Sequence, residues 1–297
     1  MQGLERVGIG SFVTAKLKDY AMLMKFRLSL LVVFSSGIGF LIGANGNWSW
    51  QNFIMISLGG MLTAGASNAL NQVIEKDFDR LMKRTANRPL PTERMNTIEA
   101  ILFSGVLAIG GLGILWLYFN QAAALLSAIA LLSYAFIYTP MKRFSPVAVY
   151  LGAIPGALPP MIGFVAATNL INAESGLLFL IQFFWQLPHF WAIGWVAYDD
   201  YMKAGYKLLP SKDGQSKTSA MQTIVSIVVL IAFSVLPYYF HYAGVVSLII
   251  LLTIGVVFLY QSIKLYRDCT VASARQLMFG SFFYLPIVQL ALYFDKI

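Results

Sequence analysis

Asn71, Glu75 and Asp79 stand four residues apart in the passage Ser67-Asn68-Ala69-Leu70-Asn71-Gln72-Val73-Ile74-Glu75-Lys76-Asp77-Phe78-Asp79-Arg80. On a helix each step of four turns about 40° and rises about 6 Å, so these three oxygen-bearing side chains share one stripe. Asp77 points to the opposite side. Such a stripe suits a hard cation bridging carboxylates to a phosphate; Mg²⁺ is held in that way, through one or two carboxylates, waters and phosphate oxygens. Lys83, Arg84 and Arg88 follow directly, and an arginine fork can grip a phosphate with two hydrogen bonds. Pro89 and Pro91 are expected to end the helix. Carboxylates for a metal beside guanidiniums for phosphate make a candidate diphosphate site. The plain alternative is a charged loop at a membrane surface, which accounts for the basic residues better than for the acidic stripe.

A second constellation reads Trp185-Gln186-Leu187-Pro188-His189-Phe190-Trp191, followed by Tyr198-Asp199-Asp200-Tyr201-Met202-Lys203. Asp199 and Asp200 can face the first stripe across a cavity, holding two metals or one metal–diphosphate complex between them. His189 sits inside an apolar run, where a histidine needs a partner. It either packs through a bond to a neighbouring helix or serves the cavity. His241, beside Tyr239 and Tyr242, reads as interfacial. Tyr138-Thr139-Pro140-Met141-Lys142-Arg143 closes another apolar run. In Gly152-Ala153-Ile154-Pro155-Gly156-Ala157-Leu158-Pro159-Pro160 three prolines free carbonyls that must face protein or a cavity.

These residues are positioned by membrane-spanning elements. Of 297 residues, 58% are hydrophobic and 11% charged, against about a quarter charged in a soluble domain. The apolar residues fall in nine runs long enough to span a bilayer: Leu28 to Ala44, Phe53 to Leu70, Ile98 to Phe119, Ala122 to Tyr138, Val147 to Ala167, Gly176 to Val196, Ala220 to Phe240, Val245 to Leu265 and Leu277 to Phe294. Backbone groups in lipid need internal partners, so the runs are expected to be helices. No long polar linker divides them. Residues 1–24 are expected to form an arm without the apolar core of a cleavable signal peptide. Cys269 is the only cysteine, which excludes an intrachain disulfide framework.

Lysine and arginine set the expected orientation. Arg6, Lys16, Lys18, Lys25 and Arg27 precede the first run; Lys76, Arg80, Lys83, Arg84, Arg88 and Arg94 follow the second. Later even-numbered runs are followed by Lys142 and Arg143, by Lys203, Lys207, Lys212 and Lys217, and by Lys264, Arg267 and Arg275. Only Lys296 lies at the other side. Basic residues stay in the cytoplasm, so the N-terminus is expected inside and the C-terminus outside the cell membrane. The same asymmetry accounts for the net charge of +8 without nucleic acid as a partner.

Together these residues resemble the UbiA-type intramembrane prenyltransferases. NQVIEKDFDRLMKRTANRPLP, Asn71 to Pro91, matches the family's first asparagine- and acid-rich motif. Its stretch from Arg84-Thr85 through Arg88-Pro89-Leu90 is similar to the branch that farnesylates haem b, as are YTPMKR from Tyr138, GAIPGALPPMIG from Gly152 and WQLPHF from Trp185. The resemblance runs from the first span to the last. It implies an all-α polytopic membrane protein, one domain of nine transmembrane helices around a central cavity that opens laterally to lipid. It implies transfer of farnesyl from farnesyl diphosphate to a vinyl group of haem b with addition of water, giving haem O and diphosphate. The partners it implies are these two substrates, the lipid bilayer and haem-handling or terminal-oxidase assembly proteins.

On that reading Asn71, Glu75, Asp79, Asp199 and Asp200 form the catalytic set, with Mg²⁺ on Glu75, Asp79 and Asn71. Arg84, Arg88, Tyr138, Lys142, Lys203 and His189 contact the substrates. The chain departs from the family at the second motif, where two acids are commonly spaced by four. Here Lys203 follows Asp199 and Ala204 follows Asp200 at that spacing, which leaves no carboxylate pair of that kind for a second metal; Asp199 or Asp200 is then expected to assist one metal, with Lys203 on phosphate. A sister enzyme acting on a quinone precursor would need no haem contact at His189. A transporter would spread its charges along a pathway, whereas these cluster at one face.

Overall fold

The computed structural model describes residues 9–297; Arg6 lies outside the described residues. The described chain is helical, with one isolated bridge between Ala243 and Lys296. Its helices are α1 (Ile9–Leu23), α2 (Phe26–Ala44), α3 (Trp50–Asp79), α4 (Thr97–Ile114), α5 (Gln121–Leu132), α6 (Thr139–Met141), α7 (Ala148–Thr168), α8 (Ala173–Val196), α9 (Tyr198–Lys203), α10 (Lys217–Tyr239), α11 (Val245–Asp268) and α12 (Val271–Phe294). A π-helical turn, Leu115–Phe119, prolongs α4, and another, Ser133–Tyr138, joins α5 to α6.

Nine stretches among the described residues are long and apolar enough to cross a membrane. They coincide with the nine apolar runs, and the chain is a multi-span membrane protein. Leu102, Val106, Ile109, Val256 and Phe283 are largely exposed on its flanks, as side chains facing lipid tails are. Most spans begin at a polar residue whose side chain accepts from a free amide of the first turn: Ser49 from Asn52, Asn96 from Glu99, Asn120 from Ala123, Asn172 from Ser175, Ser216 from Ser219 and Thr270 from Ser273. These caps satisfy amides that lipid cannot. Asn120 also donates to the Val165 carbonyl at 2.8 Å, tying the start of α5 to the end of α7.

The arm holds α1, pinned by Lys16 on Glu99 at 2.9 Å, Tyr20 on Glu99 at 2.8 Å and Arg94 on Asp19 at 3.0 Å. Gln72 of α3 donates to the Met22 and Leu23 carbonyls, at 3.0 and 2.7 Å. The chain then breaks at Lys25, in the left-handed region with φ 50°, and enters α2.

Helix α7 stays continuous through Pro155, Pro159 and Pro160. Pro160 has no N–H for the Gly156 carbonyl four residues earlier. That carbonyl accepts instead from Gln182 Nε2 of α8 at 2.7 Å, and Gln182 Oε1 accepts from Gln289 of α12 at 2.8 Å. The proline break is thereby turned into an interhelical junction of α7, α8 and α12. On its other side α7 meets α2 backbone to backbone: a Cβ on Gly163 would collide with the Ser36 carbonyl, and one on Gly39 with the backbone of Pro160. Small residues let membrane helices approach this closely. The bundle so held encloses a cavity between α2, α3, α5, α7, α8 and α12.

Candidate active site

The polar passage does not leave the helix at the membrane surface. Helix α3 continues through it to Asp79, so Asn71, Glu75 and Asp79 form the stripe expected of them. All three are buried and line the cavity, while Asp77 is exposed on the far side. Asn71 Nδ2 donates to Glu75 Oε2 at 2.9 Å and to Thr139 Oγ1 at 3.0 Å. Glu75 forms an ion pair with Lys142, whose ammonium lies over the rings of Tyr138 and Tyr206, 4.8 and 5.3 Å from their centroids. Asp79 Oδ2 accepts from Arg88 Nη1 at 2.6 Å.

Pro89 and Pro91 do not end this helix, contrary to expectation; it stops ten residues before the first of them. The loop beyond Asp79 is the cause. Thr85 Oγ1 donates to the Asp79 carbonyl at 2.9 Å, capping the last turn, and the chain doubles back so that Arg88 reaches the Asp79 carboxylate. A helix running on to Arg88 would carry the guanidinium away from it. Arg84 lines the same cavity, its Nη2 donating to the Tyr201 hydroxyl at 3.0 Å.

The second acidic pair divides. Asp199 is exposed and does not line the cavity. Asp200 accepts from the Lys83 and Arg84 amides, at 3.1 and 3.3 Å, fixing the loop that carries Arg84. Burial would raise the Asp200 carboxyl, but those amides and the Lys203 ammonium outweigh it and hold the group below its usual range. Lys203 is half exposed, 3.6 Å from Asp200, and outside the cavity lining. The structure thus brings neither Asp199 nor Lys203 to the cavity; α9 turns them outward, and Asp200 acts on the loop of the first constellation.

Two residues of the charged end carry little or no sign in the sequence. Lys25 is one of several positively charged residues of the arm, yet its Nζ donates to Asn71 Oδ1 at 2.7 Å inside the cavity. Burial, reinforced by Arg88 and Lys142, pushes its amine down to about 7 against the pull of Glu75 and Asp79. A bound anion would draw it back up. Its one local sign is its place as the second-last basic residue before the first apolar run. Tyr206, which meets Lys142 from the loop after α9, has no sign at all.

His189 lines the deeper, apolar part of the cavity. Its ring stacks on Trp185 at 4.8 Å and meets Phe190 and Phe282 edge-on, each at 5.3 Å. Nδ1 lies 2.7 Å from Ser281 Oγ. Ser281 already donates its one proton to the Met278 carbonyl at 2.5 Å, so hydrogen-bond accounting makes Nδ1 the donor and leaves Nε2 of the neutral ring with a free lone pair.

The cavity measures about 820 Å³. Leu28 and Leu31 of α2 and Phe282 of α12 line it while facing out of the bundle, so it reaches the lipid side between those helices. At its charged end Glu75 and Asp79 meet Lys25, Arg84, Arg88 and Lys142, a surplus of positive charge suited to a polyanion. Asp79 Oδ1 is buried without a hydrogen-bond partner. Among the described residues no three His, Cys, Asp or Glu side chains converge as a metal cage. One free carboxylate oxygen beside Glu75 and Asn71 fits an ion of the Mg²⁺ kind, which takes one or two protein carboxylates and completes its shell with phosphate and water.

The profile of the UbiA prenyltransferase family matches residues 31–285. This chain belongs to the UbiA prenyltransferase family. It is 46% identical over 285 residues to the protoheme IX farnesyltransferase of Cytophaga hutchinsonii, covering 96% of this chain and 100% of that protein. Its identity to the protoheme IX farnesyltransferase of Flavobacterium psychrophilum is 42%, over 94% of each. In fold, this UbiA-family enzyme is similar to a solved digeranylgeranylglyceryl phosphate synthase (TM-score 0.79, 23% identity, 95% of this chain and 98% of that one). It is also similar to a UbiA homologue from Archaeoglobus fulgidus bound to GPP and Mg²⁺ (TM-score 0.69, 16% identity, 93% and 99%).

The Asp79–Arg88 pair generates a prediction. Removing one partner of a buried pair costs about 3–5 kcal/mol because it strands the other charge. Arg88→Met should therefore lower the thermal stability of this prenyltransferase in detergent more than the double variant Asp79→Asn/Arg88→Met. A single variant as stable as the double would show that Arg88 does not neutralise Asp79.

Proposed function

We propose that this prenyltransferase moves the farnesyl group of farnesyl diphosphate onto a vinyl group of haem b, with addition of water, to give haem O and diphosphate. The observation that carries the reading is one cavity joining cation-matched carboxylates at its charged end to a bare imidazole nitrogen among aromatic rings. The names of the full-length relatives support the same substrates.

Diphosphate binds where Lys25, Arg84, Arg88 and Lys142 converge. Asn71, Glu75 and Asp79 hold Mg²⁺, which supplies charge neutralisation for the leaving diphosphate. Arg84, Arg88 and Lys142 stabilise the negative charge that grows on the leaving oxygen as the allylic C–O bond breaks and its electron pair departs with diphosphate. Tyr138 stands in the wall beside Lys142 and, with Tyr134, presents aromatic surface to the allylic carbon, whose cation it shields from water. The vinyl π electrons form the new C–C bond. Water then adds to the cation left on the haem side and loses a proton, giving the hydroxyethylfarnesyl group. His189 Nε2 meets the haem, imidazole being a common axial ligand of haem iron. Asp200 positions the Arg84 loop. Both substrates are amphiphiles and enter from lipid between α2 and α12. The positively charged end faces the cytoplasm of a cell-membrane enzyme, with the N-terminus inside and the C-terminus outside.

Purified enzyme given haem b, labelled farnesyl diphosphate and Mg²⁺ should produce labelled haem O; transfer to a quinone precursor but not to haem would contradict the assignment. In the same preparation His189→Ala should weaken haem binding or shift its absorption spectrum, while prenyl diphosphate binding is unchanged. An unaltered haem spectrum, haem affinity and turnover in a stable variant would remove His189 from the haem site.

The orientation has its own check. In a Cys269→Ser background, a cysteine replacing Gly46 should react with an impermeant thiol reagent added outside the cell, and one replacing Gly214 should not. Reversed labelling would place the charged end on the other side.

A further inference from the structure

Two contacts between α2 and α3 bracket one wall of the cavity. At its charged end Lys25 meets Asn71; at the other, a Cβ on Gly60 would stand 3.2 Å from Ser36 Oγ. The helices run antiparallel, and both contacts are eleven positions apart on each of them, a depth of about 16 Å. The α3 side chains along this wall are long and charged or amide-bearing at the charged end, Asp79, Glu75 and Asn71, and mostly small below it, Ser67, Ala64 and Thr63 down to Gly60, all of them lining the cavity. From the facing wall Ala130 and Ser127 of α5, twelve and fifteen positions before Lys142, also line the cavity. The unpartnered, buried Asp79 Oδ1 marks the upper end as a ligand site. No lining residue of α2 or α3 lies deeper than Ser36 or Gly60.

We propose that Gly60 and Ser36 form the floor of the donor channel and that its depth sets the length of prenyl chain accepted. This deepens the proposed farnesyl transfer and rests on it. A diphosphate held at Asn71, Glu75 and Asp79 directs its tail down the α3 face, and about 16 Å accommodates roughly three extended isoprene units. A longer chain reaches the floor and has to turn out toward the lipid side between α2 and α12, so it is held less well. A channel made shallower admits a shorter chain and rejects the farnesyl end. Helical side chains lean toward the preceding turn, so a leucine at position 64 covers Gly60 and removes the last part of the channel.

The test uses full-length enzyme in detergent with haem b and Mg²⁺, comparing geranyl, farnesyl and geranylgeranyl diphosphates as competing donors. Wild type should favour farnesyl over both. Ala64→Leu should move the geranyl-to-farnesyl ratio of kcat/KM toward geranyl by about tenfold or more, the discrimination that a methylene or more in an apolar pocket gives. Ala130→Leu, from the opposite wall, should act in the same direction and stands in if Ala64→Leu does not fold. Displacement of a bound farnesyl thiolodiphosphate by the three donors, measured without haem, should show the same order. Wild-type ratios in folded Ala64→Leu and Ala130→Leu would overturn the floor assignment while leaving farnesyl transfer to haem intact. Wild type that binds donors in the predicted order but gives no haem product would instead overturn the choice of acceptor. Wild type that binds no prenyl diphosphate would overturn both.

Discussion

Glu75 and Asp79 are buried at the charged end of a membrane-spanning helix, where neither lipid nor bulk water can solvate a carboxylate, and much of the surrounding structure depends on this. A buried charge must be paired and hydrogen-bonded or it costs several kcal/mol. The partners come from separated parts of the chain: Lys142 from the end of the fourth span, Arg88 from a loop that doubles back, and Lys25 from a left-handed break before the first span, reaching the stripe through Asn71. Each constrains a piece of backbone. The loop bearing Arg88 is capped by Thr85 on Asp79, the loop bearing Arg84 by Asp200, and the Lys142 carbonyl takes the Lys207 amide at 2.8 Å. The charged end of the cavity is thus one cross-linked polar body, assembled around two carboxylates with one oxygen still unpartnered.

The apolar half obeys a different constraint. A helix with three prolines, packed backbone to backbone against α2, leaves carbonyls without donors. The Gln182–Gln289 pair meets one of them, locking α8 and α12 to α7. That lock sets the faces of α8 and α12 that carry His189 and Ser281. The imidazole tautomer then follows from Ser281, whose hydroxyl is committed to the Met278 carbonyl of its own helix.

Much of this is legible in the sequence because the bilayer makes strong rules. Nine apolar runs correspond to nine spans among the described residues, and spacing by four places Asn71, Glu75 and Asp79 together with Asp77 on the far side. What the sequence does not disclose depends on side chains meeting across the fold. The recruitment of Lys25 depends on a left-handed residue, which no local motif announces. Asp200 and Asp199 are adjacent in sequence, yet α9 sends one to the Arg84 loop and the other to solvent. The end of α3 at Asp79, rather than near Pro89, comes from a Thr85 hydroxyl and an Arg88 guanidinium arriving from downstream. Helical periodicity reports faces; it does not report which loop folds back onto them.

On the proposed function the α3 stripe, besides anchoring the loops around it, binds a metal–diphosphate for chemistry. The most direct measurement is turnover of farnesyl diphosphate by Glu75→Ala and Asp79→Ala, beside Asp77→Ala, in preparations that insert and purify as wild type does. Loss of turnover in the first two, with Asp77→Ala near wild type, is the result expected. Near-normal turnover in both Glu75→Ala and Asp79→Ala would contradict it.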